Sequence, residues 1–305
     1  MALCKCDNLG LGNTGLPNCQ PLMGVDTLPI LVPTYDSTGV KNTVPSGTVV
    51  DQAYIDAKIN EADASKRWYP LVKIENATSE RADAITETSA GGTNARIKSG
   101  IRTESFEIWK QSPTLISKLE EAQCTEFSIF VVDNCGSLVG MCLDSTGDLF
   151  PVRIDKNTLD VKYVKATDTT VAKLVLSYQW LEVEKDSNLS MIASDEITGD
   201  LLSAKGLLDI NVVYSAESLT GFVATLSTEY GSKSNKVKDS GLLIADFSLF
   251  NVTQASSVTI TSVTEVSGVY TFVIPAQISA NVLTLTPTKA GRDYANVVST
   301  DIVIP

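Results

Sequence analysis

Alternating hydrophobic and polar residues, the pattern of half-buried β-strands, dominate the middle of the chain. The clearest strand covers residues 126–133, and the turn Asn134-Cys135-Gly136 leads into a returning strand. Ser112 and Pro113 predict a short helix over 114–123, because Ser favours the N-cap and Pro the first turn. The strands predicted in this region are 102–108, 126–133, 137–143, 150–154, 159–165 and 173–180. The pattern is that of a β-sandwich or open barrel interrupted by one helix.

The beginning of the chain has a different character. Residues 1–48 are rich in Gly, Pro, Asn and Thr, with short apolar islands such as Leu28-Pro-Ile-Leu-Val-Pro33. This composition predicts an extended arm that is ordered only where it lies on its own domain or on a neighbour. A weak apolar stripe over 50–68 then predicts a helix that ends before Pro70.

A long polar segment, residues 76–100, interrupts the predicted domain. It contains Gly91-Gly92, and its flanks at 80–89 and 93–99 mix β-branched and charged residues. Two strands joined at 90–93 would make it a hairpin that projects from the body. Long segments of this kind inside a compact unit are usually functional or disordered.

The last third of the chain shows a second β pattern. Residues 181–204 are polar and predict a boundary. Seven short strands with regularly spaced turns follow, which is typical of an immunoglobulin-like sandwich. These strands are 208–214, 222–226, 246–250, 257–263, 269–274, 281–287 and 297–304. The predicted organisation is therefore an arm at 1–48, a mainly β domain at 49–195 and an immunoglobulin-like β-sandwich at 205–305.

Charge and composition narrow the class of protein. The net charge is −12, with 20 acidic against 13 basic residues in 70–199 and 9 against 6 in 200–305. This balance argues against a surface that holds nucleic acid by phosphate contacts, although it can equally serve solubility. No apolar run is long enough for a membrane span, and the N-terminus lacks the apolar core of a secretory signal. We therefore expect synthesis in the cytoplasm without export.

Six cysteines offer a metal site or disulfides as alternatives to free thiols. Cys4, Cys6 and Cys19 stand in a Gly- and Pro-rich segment, but a zinc site usually needs four ligands and the chain has no histidine. In a reducing cytoplasm we expect free thiols here and at Cys124, Cys135 and Cys142.

Catalytic motifs are weak or missing in the sequence. Without histidine, Ser-His-Asp and Cys-His arrangements are impossible. The spacing Gly10-Leu-Gly12-Asn-Thr-Gly15 matches a dinucleotide-binding loop, but no strand precedes it and Pro17 follows it. We predict no catalytic, cofactor-binding or metal-binding residues and no enzymatic activity.

Other residues that could take part in chemistry or ligand binding have structural interpretations. The set comprises the carboxylate pairs Glu120-Glu121 and Asp195-Glu196, the turn residues Asp144 and Asp148, the thiol of Cys135, and Trp68, Trp109 and Trp180. We interpret the carboxylates as solvated faces and turn residues, and the tryptophans as core or rim packing. Cys135 has no histidine or nearby basic residue to activate it.

The order of the central motifs resembles a known family. It runs from Ser99-Gly-Ile-Arg-Thr-Glu-Ser-Phe-Glu-Ile108 through a short helix to Phe127-Ser-Ile-Phe-Val-Val-Asp-Asn-Cys-Gly136, and ends at Lys173-Leu-Val-Leu-Ser-Tyr-Gln-Trp180. This order is similar to that of structural virion proteins of tailed bacteriophages, in particular tail-tube proteins of phages that infect Bacteroidetes. The likeness covers about 50–190 for the tube-like β-sandwich or barrel, and 205–305 for an immunoglobulin-like appendage.

The resemblance implies a function that the sequence alone does not establish. It implies self-association into stacked hexameric rings, through the arm 1–48 and the loop 76–100, that form a tail tube in the virion. Phage DNA would pass without specific binding, and the partners would be copies of this chain and other virion tail proteins, with assembly in the cytoplasm of the bacterial host. A capsid decoration or head-fibre protein remains the alternative, followed by a surface adhesin or carbohydrate-binding protein.

Overall fold

The chain forms two compact units, Met1–Gly206 and Leu207–Pro305. The computed structural model describes residues 22–294 and 301–305. In the first unit the helices are α1 (Gln52–Ile59) and α2 (Pro113–Glu121). Its strands are β1 (Asp26–Pro33), β2 (Tyr69–Pro70), β3 (Glu75–Arg81), β4 (Ile85–Thr88), β5 (Asn94–Lys98), β6 (Arg102–Trp109), β7 (Phe127–Asp133), β8 (Leu138–Met141), β9 (Val152–Arg153), β10 (Asp160–Val164), β11 (Lys173–Gln179) and β12 (Leu189–Ile192).

Two antiparallel sheets share the main core of the first unit. One has the order β12-β8-β7-β1-β2, with β9 also paired to β7, and the other has the order β10-β11-β6-β3. Alternate side chains of both sheets meet in a single cluster that includes Leu31, Ile129, Phe106, Ile108 and Leu174. The prediction of a mainly β unit with a sandwich-like core is confirmed in this coarse form.

β1 lies inside the first sheet, between β7 and β2, rather than in an arm. It pairs with β7 along its length and with β2 on its other side. The prediction of an extended arm over 1–48 is therefore wrong from β1 onward, and residues 1–21 lie outside the described residues. The reason is that Leu28, Ile30, Leu31 and Val32 are all buried, so the strand has the continuous apolar run of a doubly covered strand and no alternation.

The second face of this sheet is covered by α1 and the segment after it. Asp51 caps α1 by accepting a hydrogen bond from the Tyr54 backbone N–H at 2.8 Å. Trp68 packs on Phe130, with ring centroids 5.6 Å apart. The predicted helix over 50–68 is wrong beyond Ile59, because Asp63 binds the backbone and hydroxyl of a nearby serine and forms a turn instead.

The other predicted elements of the first unit are largely present. α2 begins after Ser112, whose hydroxyl accepts from the Leu115 backbone N–H at 3.5 Å, so this prediction is confirmed. The predicted boundary at 181–204 is wrong, because β12 within it pairs with β8 and extends the first sheet. The division between the units falls after Gly206.

The second unit consists of two sheets around a core of its own. Its strands are β13 (Leu208–Ser218), β14 (Gly221–Gly231), β15 (Lys236–Lys238), β16 (Phe247–Asn251), β17 (Ser256–Val258), β18 (Ser262–Val266), β19 (Val269–Val273), β20 (Val282–Pro287), β21 (Arg292–Asp293) and β22 (Ile302–Val303). One sheet has the order β18-β19-β14-β13-β21, with β15 on β14, and the other has the order β17-β16-β20-β22. Phe222 and Phe272 stack at 4.7 Å between their centroids, and Phe247 meets Phe272 edge-on.

Five of the seven strands predicted for this unit are confirmed, the other two differ from the prediction, and β15 and β21 are additional. Residues 257–263 are divided between β17 and β18. Of the predicted strand 297–304, β22 is the described part, and residues 297–300 lie outside the described residues.

The position of β1 inside the sheet can be tested with Ile30→Ala. Removing a fully buried side chain should lower the free energy of unfolding of the first unit by about 2–4 kcal/mol. The control Val40→Ala, at a side chain that is 62% exposed, should change it by less than about 0.5 kcal/mol. Tryptophan fluorescence during urea unfolding reports on this unit alone, because all three tryptophans of the chain belong to it. Equal effects of the two substitutions would contradict a β1 that is buried inside the sheet.

Candidate functional site

The most exposed regular structure of the first unit is a two-stranded ribbon formed by β4 and β5. The ribbon continues the pair β3–β6, so 75–109 is one long hairpin whose base belongs to the four-stranded sheet. β4 and β5 form a sheet of two strands, and every residue from 85 to 97 is exposed. The predicted pair of strands joined at 90–93 is thus confirmed.

Two glycines shape the hairpin. At its tip, Gly92 has a φ of +82°, which glycine adopts without strain, and the Ser89 backbone N–H donates to the Thr93 carbonyl at 2.8 Å. At the base, a Cβ on Gly100 would lie 1.7 Å from the carbonyl oxygen of Ala82. Only glycine allows the two strands to approach this closely where the ribbon leaves the sheet.

Two arginines lie directly opposite each other at that junction. Arg81 at the end of β3 and Arg102 at the start of β6 are register partners, an arrangement that like charges normally disfavour. Asp186 compensates them, since it accepts from Arg81 Nε and Nη2 at 2.9 and 2.8 Å and from Arg102 Nε at 3.1 Å. The Arg102 guanidinium also lies 4.9 Å from the centroid of the Trp180 ring.

The junction is closed by further bonds to the backbone. Arg81 Nη1 donates to the Gly100 carbonyl at 2.7 Å, and its Nη2 donates to the Glu184 carbonyl at 3.2 Å. The hydrogen bonds from Arg81 lower the pKa of Asp186 to about 2, and the charge of Arg102 contributes in the same direction. The carboxylate therefore stays ionised above that pH, and the base of the hairpin is fixed to the segment after β11.

A buried acidic cluster lies next to the base of β6. Asp26 and Asp133 are register partners on β1 and β7, and Glu104 on β6 accepts from the Tyr178 hydroxyl at 2.5 Å. Asp133 is satisfied by backbone N–H groups, including that of Ser137 at 2.8 Å. Burial, together with the charges of Glu104 and Asp133, raises the pKa of Asp26 to about 6.

The carboxylates singled out in the sequence do not converge. Glu120 and Glu121 are exposed on α2, and Asp195 and Glu196 are exposed as well. Asp144 accepts from the backbone and hydroxyl of Thr146 and stabilises a turn, as expected. Asp148 instead accepts from the backbone N–H of Ser46, which is 102 positions away in the chain.

The tryptophans and cysteines singled out in the sequence do not form a common site among the described residues either. Trp68 and Trp180 are buried, whereas Trp109 is 42% exposed and donates to Glu107 rather than joining them. Cys124 and Cys142 carry free thiols, whereas Cys135 is disulfide-bonded, so the expectation of a free thiol is wrong there. Cys4, Cys6, Cys19 and the Gly10–Gly15 motif lie outside the described residues.

The sequence did not reveal the arginine junction. Asp186 is separated from Arg81 by 105 positions, and it stands in the polar segment 181–204, whose composition predicts a boundary between domains. The one available signal was the pair of arginines flanking the segment 82–101, because a hairpin closed at 90–93 brings them opposite each other.

The described residues contain neither a group of three or more acidic, cysteine or histidine side chains placed so that they could hold a metal ion nor a helix with the length and apolar character of a membrane span. No protein-family model matches the chain, and no curated protein is significantly similar to it in sequence.

Gly100→Ala should separate the strands at the base of the ribbon. The added methyl group meets the Ala82 carbonyl, and overpacking of this kind costs about 1–3 kcal/mol. Gly91→Ala is the matched control, because the nearest atom to its new Cβ is 4.0 Å away. Hydrogen exchange should show faster exchange of the Ala82 amide, which bonds to the Ile101 carbonyl at 3.0 Å, in the Gly100 variant alone. Unchanged exchange in both variants would contradict the close approach.

Asp26→Asn should change the pH dependence of stability. An acid whose pKa is raised from 3.8 to about 6 on folding stabilises the folded state at low pH, and this contribution is lost as the pH rises from about 4 through 6. At pH 7.5 the variant should therefore be more stable than the wild type by about 1–2 kcal/mol, after allowance for partial exposure. Urea unfolding followed by tryptophan fluorescence between pH 4.5 and 7.5 measures this difference. The control Asp168→Asn changes an exposed loop residue. Its free energy of unfolding should differ from that of the wild type by the same amount, or not at all, at every pH.

Proposed function

We propose that this protein is a structural virion protein of a tailed bacteriophage, which assembles into stacked hexameric rings of the tail tube. The observation that supports this proposal is the long hairpin 75–109. Its outer ribbon is exposed throughout residues 85–97, yet its base is fixed by the bonds of Arg81 and Arg102 to Asp186. A two-stranded ribbon is marginally stable in water by itself, so a fixed ribbon of this length suits a contact with another subunit.

The architecture of the first unit supports the same proposal. Two antiparallel sheets around one core, the nine-residue helix α2 and the long hairpin are the parts expected from the resemblance to tail-tube proteins. The open edges of β3 and β10 in the four-stranded sheet offer sites for strand pairing between subunits. In this proposal the contacts between subunits that involve described residues are made by the hairpin 75–109 and not by an arm over 1–48.

The role of charge and of the second unit follows from the same proposal. The excess of acidic residues in 70–199 would line a channel that repels DNA phosphates, so the DNA passes without specific binding and the protein has no enzymatic role. The second unit serves as an immunoglobulin-like domain, which is supported by its two sheets around a single core. The remaining partners would be other proteins of the virion tail.

Electron microscopy of the purified full chain tests this proposal. Negative staining should show rings or tubes, and a variant in which a two-residue turn replaces residues 83–99 should lose them. The far-ultraviolet circular dichroism of that variant should remain that of a folded β protein, because the removed segment is exposed. As a control, shortening the exposed turn at 232–235 should preserve the assemblies. A wild-type chain that stays monomeric or trimeric would overturn the tube and favour a capsid decoration or head-fibre protein.

A further inference from the structure

The two strands of the exposed ribbon carry opposite charges. The ascending side contains Glu87 on β4 and Asp83 two residues before that strand, and no basic residue occurs between 82 and 95. The descending side contains Arg96 and Lys98, and no acidic residue occurs between 88 and 103. The ribbon therefore has one acidic and one basic edge, although its four charges sum to zero.

These charges do not neutralise each other within the ribbon. In the register of β4 and β5, Glu87 lies opposite Ala95, Arg96 lies opposite Thr86, and Lys98 lies opposite Ile85. The ion pairs found within the described residues include none that joins the two strands. Arg96 donates to Ser99, and Lys98 reaches Glu182 outside the ribbon at 2.9 Å, in a pair whose side chains are 41% and 56% exposed. The acidic and basic side chains of the ribbon are thus not paired with each other.

Both outer edges of the ribbon are open for strand pairing. β4 pairs only with β5, and β5 only with β4, among the strands of residues 22–294 and 301–305. Unpaired N–H and C=O groups along such edges are a template for another strand. Ile85 and Ile97, 57% and 62% exposed, add apolar surface beside these edges.

We infer that the ribbon pairs edge to edge with the ribbon of a second copy of this chain, the acidic β4 edge of one copy beside the basic β5 edge of the next. Two copies in the same orientation bring these strands together in antiparallel directions, as they already run within one ribbon. The contact joins two different edges, so it repeats from copy to copy and closes into a ring when the rotation allows. This inference rests on the proposed function, because it names the partner and the charges of the same hairpin.

Charge-reversed variants of the full chain test this pairing. The first variant, D83K/E87K, has two basic edges, and the second, R96E/K98E, has two acidic edges. Each alone should self-associate about tenfold or more weakly than the wild type, since it replaces attraction by repulsion at each contact. An equimolar mixture of the two should recover the association, because every contact can again join opposite charges. Sedimentation velocity and negative staining measure both effects.

Matched controls separate the ribbon from net charge. E120K/E121K carries the same charge change as the first variant, and K165E/K233E the same change as the second, all at exposed positions. Both controls should associate like the wild type, and thermal unfolding should show that all four variants are folded. Raising the salt concentration from about 0.15 M to 0.5 M should weaken wild-type association, because exposed charges are screened.

The outcomes distinguish this inference from the proposed tube. If D83K/E87K and R96E/K98E form rings like the wild type, or if their mixture associates no better than each alone, the charged edges do not pair, although the tube can stand. If the mixture associates but no chain forms rings, the pairing stands and the tube is overturned. A wild-type chain that shows no self-association would overturn both.

Discussion

The first unit depends on a strand that is buried on both of its faces. β1 contributes Leu31 to the core between the two sheets, while its buried residue Ile30 is paired with Phe130, which packs on Trp68. Because both faces are covered, the sheet that contains β1 depends on elements that follow it in the chain. The contacts of β1 with β7 join residues about a hundred positions apart, and those with β2 join residues about forty positions apart. The other sheet, which shares the core with the sheet of β1, carries the base of the hairpin.

This base explains how an exposed ribbon can be held in a defined direction. Four-stranded pairing stops at Arg81 and Arg102, where two like charges face each other. Left alone they would push the strands apart, but Asp186 and the ring of Trp180 stabilise both guanidinium groups, and the nearby Gly100 lets the backbones approach. The attraction is partly buried and involves a bidentate carboxylate, which gives it a more defined geometry than an ordinary surface pair.

Sequence patterns predicted those elements whose signals are local. Gly91-Gly92 indicated the tip of the hairpin, and Ser112-Pro113 indicated the start of α2, because a turn or a cap depends on neighbouring residues. β1 was missed since a doubly buried strand does not alternate, and Pro29 and Pro33 gave it the composition of a loop. The helix after Asp51 was predicted too long because side-chain turns, such as the one at Asp63, compete with a weak apolar stripe.

The junction at the hairpin base could not be predicted in the same way. Its members Arg81, Arg102, Trp180 and Asp186 come from three separate segments, and only the pairing of β6 with β3 and β11 brings them together. A tertiary network of this kind has no periodicity that marks it along the chain. The sequence does show that one strand of the ribbon is acidic and the other basic. Only the register shows that these charges do not lie opposite each other.

The placement of acidic and basic residues on different strands of the ribbon says more about pairing between copies than the presence of charges alone. Charged side chains on an edge strand commonly prevent uncontrolled pairing between copies, and mixed or uniform charge would serve that purpose equally well. Here all acidic side chains of the ribbon lie on one strand and all basic side chains on the other, at positions where they do not meet. Protection from aggregation does not require this arrangement. This arrangement opposes the pairing of two like edges and favours the pairing of unlike edges, so it selects a single orientation between neighbouring copies. A closed ring needs the same orientation at every contact.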